Sequence, residues 1–417
     1  MLECSRELVD LAIDIGEGLL TNGAEIHRVE DTISRICLSS GAKDIDAFCI
    51  IKAMVISVRL DNGDTYTASR RILSTTTNYR RIDHYNTLSR KICAGELSLE
   101  EAKAEFERIK NGYSCSYLKK LLGYILFALS CTPFFGGSWL DALCTLPSCF
   151  LLIALDLVVS RHGLNKIIYN FIATFLIGSA IMLMSLTGLD LNVGPMIAGT
   201  LMILVPGIAM TSSLGDLLSG DTTSGILNLC ESFLTACAIS VGYALSIMTF
   251  GGAVDKPLVN YPWYAMIILA VISAIGYAFT ANISTKTNPY LALDCALTYG
   301  TFLIVFNLSA NDFLSVLAAT AVATHFAWIA ARVLKKPSPI FSTPSLIPLA
   351  PGYALYLTIS CALNNDWSGM KVYALKTIVI TFAIALGLIA VSFLWGVVRT
   401  VIKEIKDIKK PSKNRKR

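Results

Sequence analysis

Residues 204–221 read LVPGIAMTSSLGDLLSGD, and residues 349–366 read LAPGYALYLTISCALNND. Each lies in a run apolar enough for a bilayer, yet each carries the two strongest helix breakers side by side, Pro206-Gly207 and Pro351-Gly352. Six of the eighteen aligned positions are identical at an offset of 145 residues. Proline removes a backbone donor, and its ring displaces the carbonyl one turn back. An unsatisfied backbone group in hydrocarbon costs roughly several kcal/mol, so broken helix survives there only against protein or a wet cavity. Two breaks facing each other near the midplane would form such a site. The half-helix after Pro206-Gly207 would aim free N–H groups and a partial positive charge into it, which suits a carboxylate. Pro206, Gly207, Thr211, Ser212, Pro351 and Gly352 are therefore the candidate substrate-binding residues, with Ser213 on the same turn. The plainer alternative is a pair of kinks, since Pro and Gly are common in membrane helices.

Composition sets the frame for these breaks. The chain has 417 residues, of which 54% are hydrophobic and 16% charged, and a mean hydropathy of +0.60. A soluble chain carries about a quarter charged residues. The deficit falls between residues 120 and 400, where apolar runs follow one another, each long enough for a ~30 Å hydrocarbon core. Ten spans are expected there, in a polytopic α-helical membrane protein preceded by a small α+β soluble domain. The expected boundaries are 1–118 for that domain, 119–253 and 254–403 for two five-helix units, and 404–417 for a basic cytosolic tail. Lys119-Lys120, Arg161, Lys166, Lys286, Arg332, Lys335 and Lys336 fall on one side of the spans with the tail, which places both termini in the cytoplasm. Pro-Gly falls in the fourth span of each unit. An odd number of spans per unit inverts the second unit relative to the first, an inverted repeat of the kind found in secondary transporters.

The first twenty residues carry charges throughout, so the soluble domain is expected to stay cytosolic rather than be led out by a signal peptide. Within it, Leu8, Leu11, Ala12, Ile15 and Leu19 follow helical spacing up to Asn22-Gly23. A second helix buries Ile26, Val29, Ile33 and Ile36. Met54, Ile56, Val58 and Leu60 then alternate onto one strand face, and Asp61-Asn62-Gly63-Asp64 predicts a hairpin turn of the Asn-Gly type. Ser98 and Glu101 form a capping box at a later helix. Glu25, Arg28, Asp31 and Thr32 fall on one exposed helical face, with Glu30 beside them. Glu25, Arg28 and Glu30 are candidates for a regulatory contact with the membrane bundle, set against a merely solvated face.

Ionisable residues inside spans need a partner or a task. Glu231 and Lys376 are separated by the repeat offset and similar in depth, so a cross-repeat ion pair is one reading. Asp294, with Thr298 one turn on, and His325 are candidates for proton coupling. Asp216 and Asp221 flank the end of the fourth span and would cap the next helix, hold a cation or gate the path. Asp141 and Asp156 read as solvated charges at helix ends. The twelve cysteines show no C-x-x-C pair and read as small packed residues, not as metal ligands or disulfides. There is no G-x-S-x-G or Walker A motif, so no ATP hydrolysis, cofactor or nucleic-acid partner is expected. The basic tail would lie against anionic lipid head groups.

Three stretches, NGAEIHRVEDTISRI at 22–36, LVPGIAMTSSLGDLLSGD at 204–221 and PSLIPLAPGYALY at 344–356, resemble the threonine/serine exporter family. The resemblance runs in order over nearly the whole chain. It implies proton-driven export of L-threonine and L-serine across the cytoplasmic membrane, with self-association left open. Family members split into two subunits are linked instead to dicarboxylate export, notably of succinate. Many relatives carry a basic residue before the aspartate of the first Pro-Gly motif, where this chain has Gly215. A membrane-anchored hydrolase or sensor built on the N-terminal domain is the reading from a different class.

Overall fold

Local signals in the first hundred residues translate directly into structure. The computed structural model describes residues 5–409 apart from 61–62, 74, 163–164, 252–256 and 364. Ser5 accepts from the Leu8 N–H and opens α1 (Arg6–Thr21), which Asn22 closes before Gly23 turns the chain at φ +89°. A left-handed φ is cheap only for glycine. Helix α2 (Ile26–Ser39) buries Val29, Ile33 and Ile36 against α1. Three antiparallel strands follow in the order β1 (Asp44–Ile50), β2 (Ala53–Arg59) and β3 (Thr65–Arg71). Met54, Ile56, Val58 and Leu60 are buried together, as alternation requires. Asp44 pairs with Arg59 and Ile50 with Ala53, so the first two strands join through Ile51-Lys52.

The expected two-residue Asn-Gly turn differs from what is seen. Arg59 pairs with Thr65, leaving a five-residue connection closed by Leu60 N to Asp64 O at 2.9 Å; Asp61 and Asn62 themselves lie outside the described residues. Helices α3 (Tyr79–Cys93) and α4 (Leu99–Asn111) complete the domain. At α4 the Ser98 hydroxyl accepts from the Glu101 N–H, and the Glu101 carboxylate accepts from the Ser98 N–H.

Thirteen further helices make up the apolar part: α5 (Tyr117–Phe134), α6 (Trp139–Cys144), α7 (Leu146–His162), α8 (Lys166–Ser185), α9 (Val193–Leu201), α10 (Gly207–Ser219), α11 (Thr222–Phe250), α12 (Trp263–Thr280), α13 (Asn288–Ser309), α14 (Asp312–Leu334), α15 (Pro339–Leu346), α16 (Gly352–Leu363) and α17 (Trp367–Lys409). Among the described residues, seven segments are long and apolar enough to cross a membrane: α6–α7 together, α8, α11, α12, α13 with its leading turn, α14, and the first part of α17. The bent pair α15 and α16, meeting at 43°, brings the number to eight. This is a multi-pass membrane protein. The expected count was ten, and the two segments short of that test are α5, which begins with Lys119-Lys120, and the interrupted α9–α10. The expected unit boundary at 253–254 and residues 410–417 of the tail lie outside the described residues.

Packing joins α5 to α12, α8 to α11, α14 to α17, α10 to α11 and α16 to α17. Across the two groups, α10 meets α17 and α11 meets α16. The N-terminal α+β part is fastened to the bundle chiefly through α3. Tyr79 N donates to Ala281 O at 3.1 Å, the Asn282 amide donates to Asn78 Oδ1 and Tyr113 O, Arg90 donates to Lys335 O, and Lys336 pairs with Asp83 at 2.6 Å. The apolar core of the domain runs without a gap into the core around α12–α15.

Candidate functional site

Both Pro-Gly pairs break their helices. Between α9 and α10 the chain turns through residues 202–206; Val205 N still reaches Leu201 O, and Gly207 N reaches only Val205 O. The N–H groups of Ile208 and Ala209 have no backbone acceptor among the described residues, and the i−4 ladder resumes with Met210 N on Pro206 O at 2.9 Å. In the second break a single 3₁₀ turn, Ile347–Leu349, separates α15 from α16. The two breaks meet. A Cβ built on Gly207 would lie 3.0 Å from Gly352 N and 3.3 Å from Gly352 Cα, and one on Gly352 would lie 3.0 Å from a Val205 methyl. Only residues without side chains allow backbones this close.

Beside this crossing lies a cavity of about 490 Å³, walled on one side by the N-terminal α+β part and on the other by the bundle. Pro206, Gly207, Ile208, Ala209 and Ser212 line it from α10; Glu25 and Arg28 line it from the head of α2. A smaller space of about 50 Å³ adjoins, reached by Glu25, Thr211 and Ser212. Ser212 is exposed to both. The Thr211 and Ser213 hydroxyls instead donate back to Gly207 O and Ala209 O of their own helix. Pro351 and Gly352 are buried behind Ala350, packed on the first break rather than opening onto the cavity.

The ionisable candidates are distributed differently from the sequence expectation. Glu231 and Lys376 are not brought together: Glu231 lies 3.8 Å from Lys52 in the turn between β1 and β2, and Lys376 lies 3.5 Å from Asp312. The offset in sequence matched them, but the soluble domain reaches α11 first. Asp294 is fully buried on α13, with the Thr298 hydroxyl at 3.5 Å; its Oδ2 has no hydrogen-bond partner among the described residues. His325 faces outward, its ring 5.4 Å from Trp395, within a cluster where Arg332 lies over Trp395 and Trp328. Asp221 stands at the head of α11 but makes no side-chain cap, and Asp216 has the Asn228 amide beside it.

Within the N-terminal α+β part, Glu30 accepts from Cys49 N at 2.8 Å and ties α2 to β1. Burial lifts its carboxyl above the usual range, the Cys49 bond opposes this, and Asp221 adds repulsion. Glu25, unlike Glu30, lines the cavity. Thr32 does not belong to an exposed face: it is buried and donates to Arg28 O.

Asp141 and Asp156 are not solvated helix-end charges. Asp141 is buried, boxes Ser138 at the start of α6, and accepts from Asn192 N at 2.8 Å. Asp156 accepts from the Tyr124 and Tyr169 hydroxyls at 2.7 and 2.8 Å and pairs with Lys120 at 2.7 Å. Lys120 and Lys166, which the sequence marked only as charges on the cytoplasmic side, line the cavity together with Tyr124. An aspartate isolated in the apolar run FLLIALDLVV was the signal that could have found this cluster, because such a charge demands donors.

A bundle of apolar helices with two interrupted segments meeting beside a roomy polar-edged cavity is the build of a membrane transporter. Comparison with known proteins agrees. Residues 10–250 match a family model described as "Putative threonine/serine exporter", and residues 266–394 match a second, "Threonine/Serine exporter, ThrE". The chain belongs to the threonine/serine exporter family, whose members are transporters and not enzymes. It is similar to a "Probable threonine/serine exporter" of Mycobacterium tuberculosis, 21% identical over 97% of this chain and 79% of the relative. It is also similar to the "Threonine/serine exporter" of Corynebacterium glutamicum, 24% identical over 70% of this chain and 62% of the relative. A "Probable succinate transporter subunit YjjP" of Escherichia coli is 23% identical over 60% of this chain and 97% of its own length. No solved structure matches the chain.

Proposed function

We propose that the protein exports small hydroxy amino acids, L-threonine and L-serine, across the cytoplasmic membrane by proton-coupled alternating access. The meeting of Gly207 and Gly352 beside the cavity carries this reading. In it, α5 and the interrupted α9–α10 complete ten spans, both termini lie in the cytoplasm, and two units of five rock about the crossing. Paired packing supports the inversion: α8 on α11 corresponds to α14 on α17, and α10 on α17 to α16 on α11. Gly242 and Gly387 also stand 145 residues apart. Gly242 lies tight against Phe171 and Thr174 of α8, and Gly387 against Leu317 and Thr320 of α14.

Substrate would sit at the head of α10, near Pro206, Gly207 and Ser212, with Thr211, Pro351 and Gly352 shaping the wall. Asp294, a buried carboxyl with no ion pair among the described residues, is the favoured proton carrier. Asp216 and Asp221 would move with the inner gate. A second reading, dicarboxylate export, draws on Arg28, Lys166 and the Asp156-paired Lys120 lining the cavity, where Glu25 is the one acidic residue among the described lining, and on the succinate-named relative. Counterflow in proteoliposomes separates the two. Labelled threonine and serine should exchange, faster under a proton gradient; exchange of succinate alone would replace the first reading with the second.

A further inference from the structure

Helix α2 and its leading residue carry two ion pairs about two turns apart, and they differ. Arg35 meets Asp31 at 2.8 Å in the open, with the arginine side chain 68% exposed. Arg28 meets Glu25 at 3.5 Å through one nitrogen, and its side chain is only 23% exposed. Its Nε is buried with no partner among the described residues. Glu25 precedes the first turn of α2 but caps nothing with its side chain. A guanidinium normally satisfies its planar fork on a carboxylate with two parallel bonds. Here the fork makes a single long contact to Glu25, so the guanidinium that lines the cavity keeps capacity for a second carboxylate.

Both side chains open onto the cavity that Gly207, Ala209 and Ser212 line from the opposite wall. Its volume of about 490 Å³ suits a small solute. A loosely paired acid and base, side by side and facing a helix N-terminus, match the two ends of a zwitterion. A dicarboxylate would meet one fitting end and one repelling end at Glu25.

We propose that the soluble domain forms part of the binding site: Glu25 receives the α-ammonium group of an amino acid, and Arg28 receives its α-carboxylate. The free N–H groups at the head of α10 and the Ser212 hydroxyl complete the enclosure from the membrane side. The domain then selects zwitterions at the entrance, before the solute passes the Pro-Gly crossing. This inference rests on the amino-acid reading of the protein and names how that substrate is recognised.

The test uses full-length protein in proteoliposomes, with labelled L-threonine counterflow competed by two analogues. L-Threoninol keeps the ammonium and lacks the carboxylate; 3-hydroxybutyrate keeps the carboxylate and lacks the ammonium. In the wild type both should compete at least tenfold less well than L-threonine. Glu25→Gln should improve 3-hydroxybutyrate relative to L-threonine about tenfold, and Arg28→Gln should do the same for L-threoninol. A merely structural role would lower flux and leave these ratios alone, so unchanged ratios overturn the inference. Should a variant insert without transporting, the thermal shift caused by L-threonine decides: its loss supports the assignment, and a wild-type shift refutes it. Glu25→Asp and Arg28→Lys, which keep charge, should retain the wild-type order of competitors; they replace the glutamine variants if those fail to insert, and an altered order in them also counts against the assignment. Wild-type protein that exchanges succinate but not threonine would remove the amino-acid reading itself, whereas threonine exchange with unaltered ratios would remove this inference alone.

Discussion

Adding one methyl group to each glycine of the crossing should have unequal consequences. At Gly207 the new Cβ would meet Gly352 N at 3.0 Å, Ala350 Cβ at 3.2 Å and Gly352 Cα at 3.3 Å. Two of these are backbone atoms at the head of α16, and they can yield only if the two half-helices separate. Overpacking of this kind costs about 1–3 kcal/mol. Alanine returns at most about 1 kcal/mol of helix propensity, and less at a first turn. Gly207→Ala should therefore destabilise the crossing by roughly 1–2 kcal/mol, shifting its population about tenfold. At Gly352 the neighbours are a Val205 methyl at 3.0 Å and the Met202 Cε and Sδ at 3.1 and 3.2 Å. The thioether swings aside readily, so Gly352→Ala should stay within about 1 kcal/mol of the wild type. Thermal unfolding of the purified full-length protein and threonine counterflow measure both variants. Gly207→Ala should melt lower and transport less than Gly352→Ala. A Gly207→Ala protein as stable and active as the wild type, or a more damaging Gly352→Ala, would refute the close backbone approach.

Breaking the Lys336–Asp83 pair, both of whose side chains are about four-fifths covered, should loosen the soluble domain. Asp83→Asn should cost about 1.5–3 kcal/mol of docking, read as faster hydrogen exchange at the start of α3, and the charge swap Asp83→Lys with Lys336→Asp should restore protection. Asp294→Asn should insert normally and still exchange threonine while losing the response to a proton gradient; an unchanged response removes Asp294 from coupling. Burial lowers the His84 pKa, with Asp83 and Glu105 opposing and Arg80 and Lys336 assisting. The folded protein therefore binds fewer protons there than the unfolded chain, and stability should fall as pH drops through about 6.5. His84→Phe, which can keep the stack on Tyr113 at 3.8 Å between centroids, should shrink the loss of melting temperature between pH 7.5 and 5.5; an undiminished loss would exclude His84.

What the sequence determined by itself was whatever depends on neighbours within a turn or two. The stripes of α1 and α2, the Ser98–Glu101 box, the buried face of β2 and the helix breaks at Pro206-Gly207 and Pro351-Gly352 follow from local spacing and backbone chemistry. Even the pairing of the two breaks was legible, because a repeated interruption in apolar sequence demands a shared shelter. Tertiary structure alone decided which charges meet. Glu231 and Lys376 matched by offset, yet a two-residue strand connection carries Lys52 to Glu231, and Asp312 at the head of α14 takes Lys376. Asp156 looked like a helix end and became the acceptor for Lys120 and two tyrosines contributed by α5 and α8. Ion pairs between separate elements depend on a few ångströms in space and not on separation along the chain, so no helical periodicity records them. For the same reason only the docked domain brings Glu25 and Arg28 opposite the head of α10.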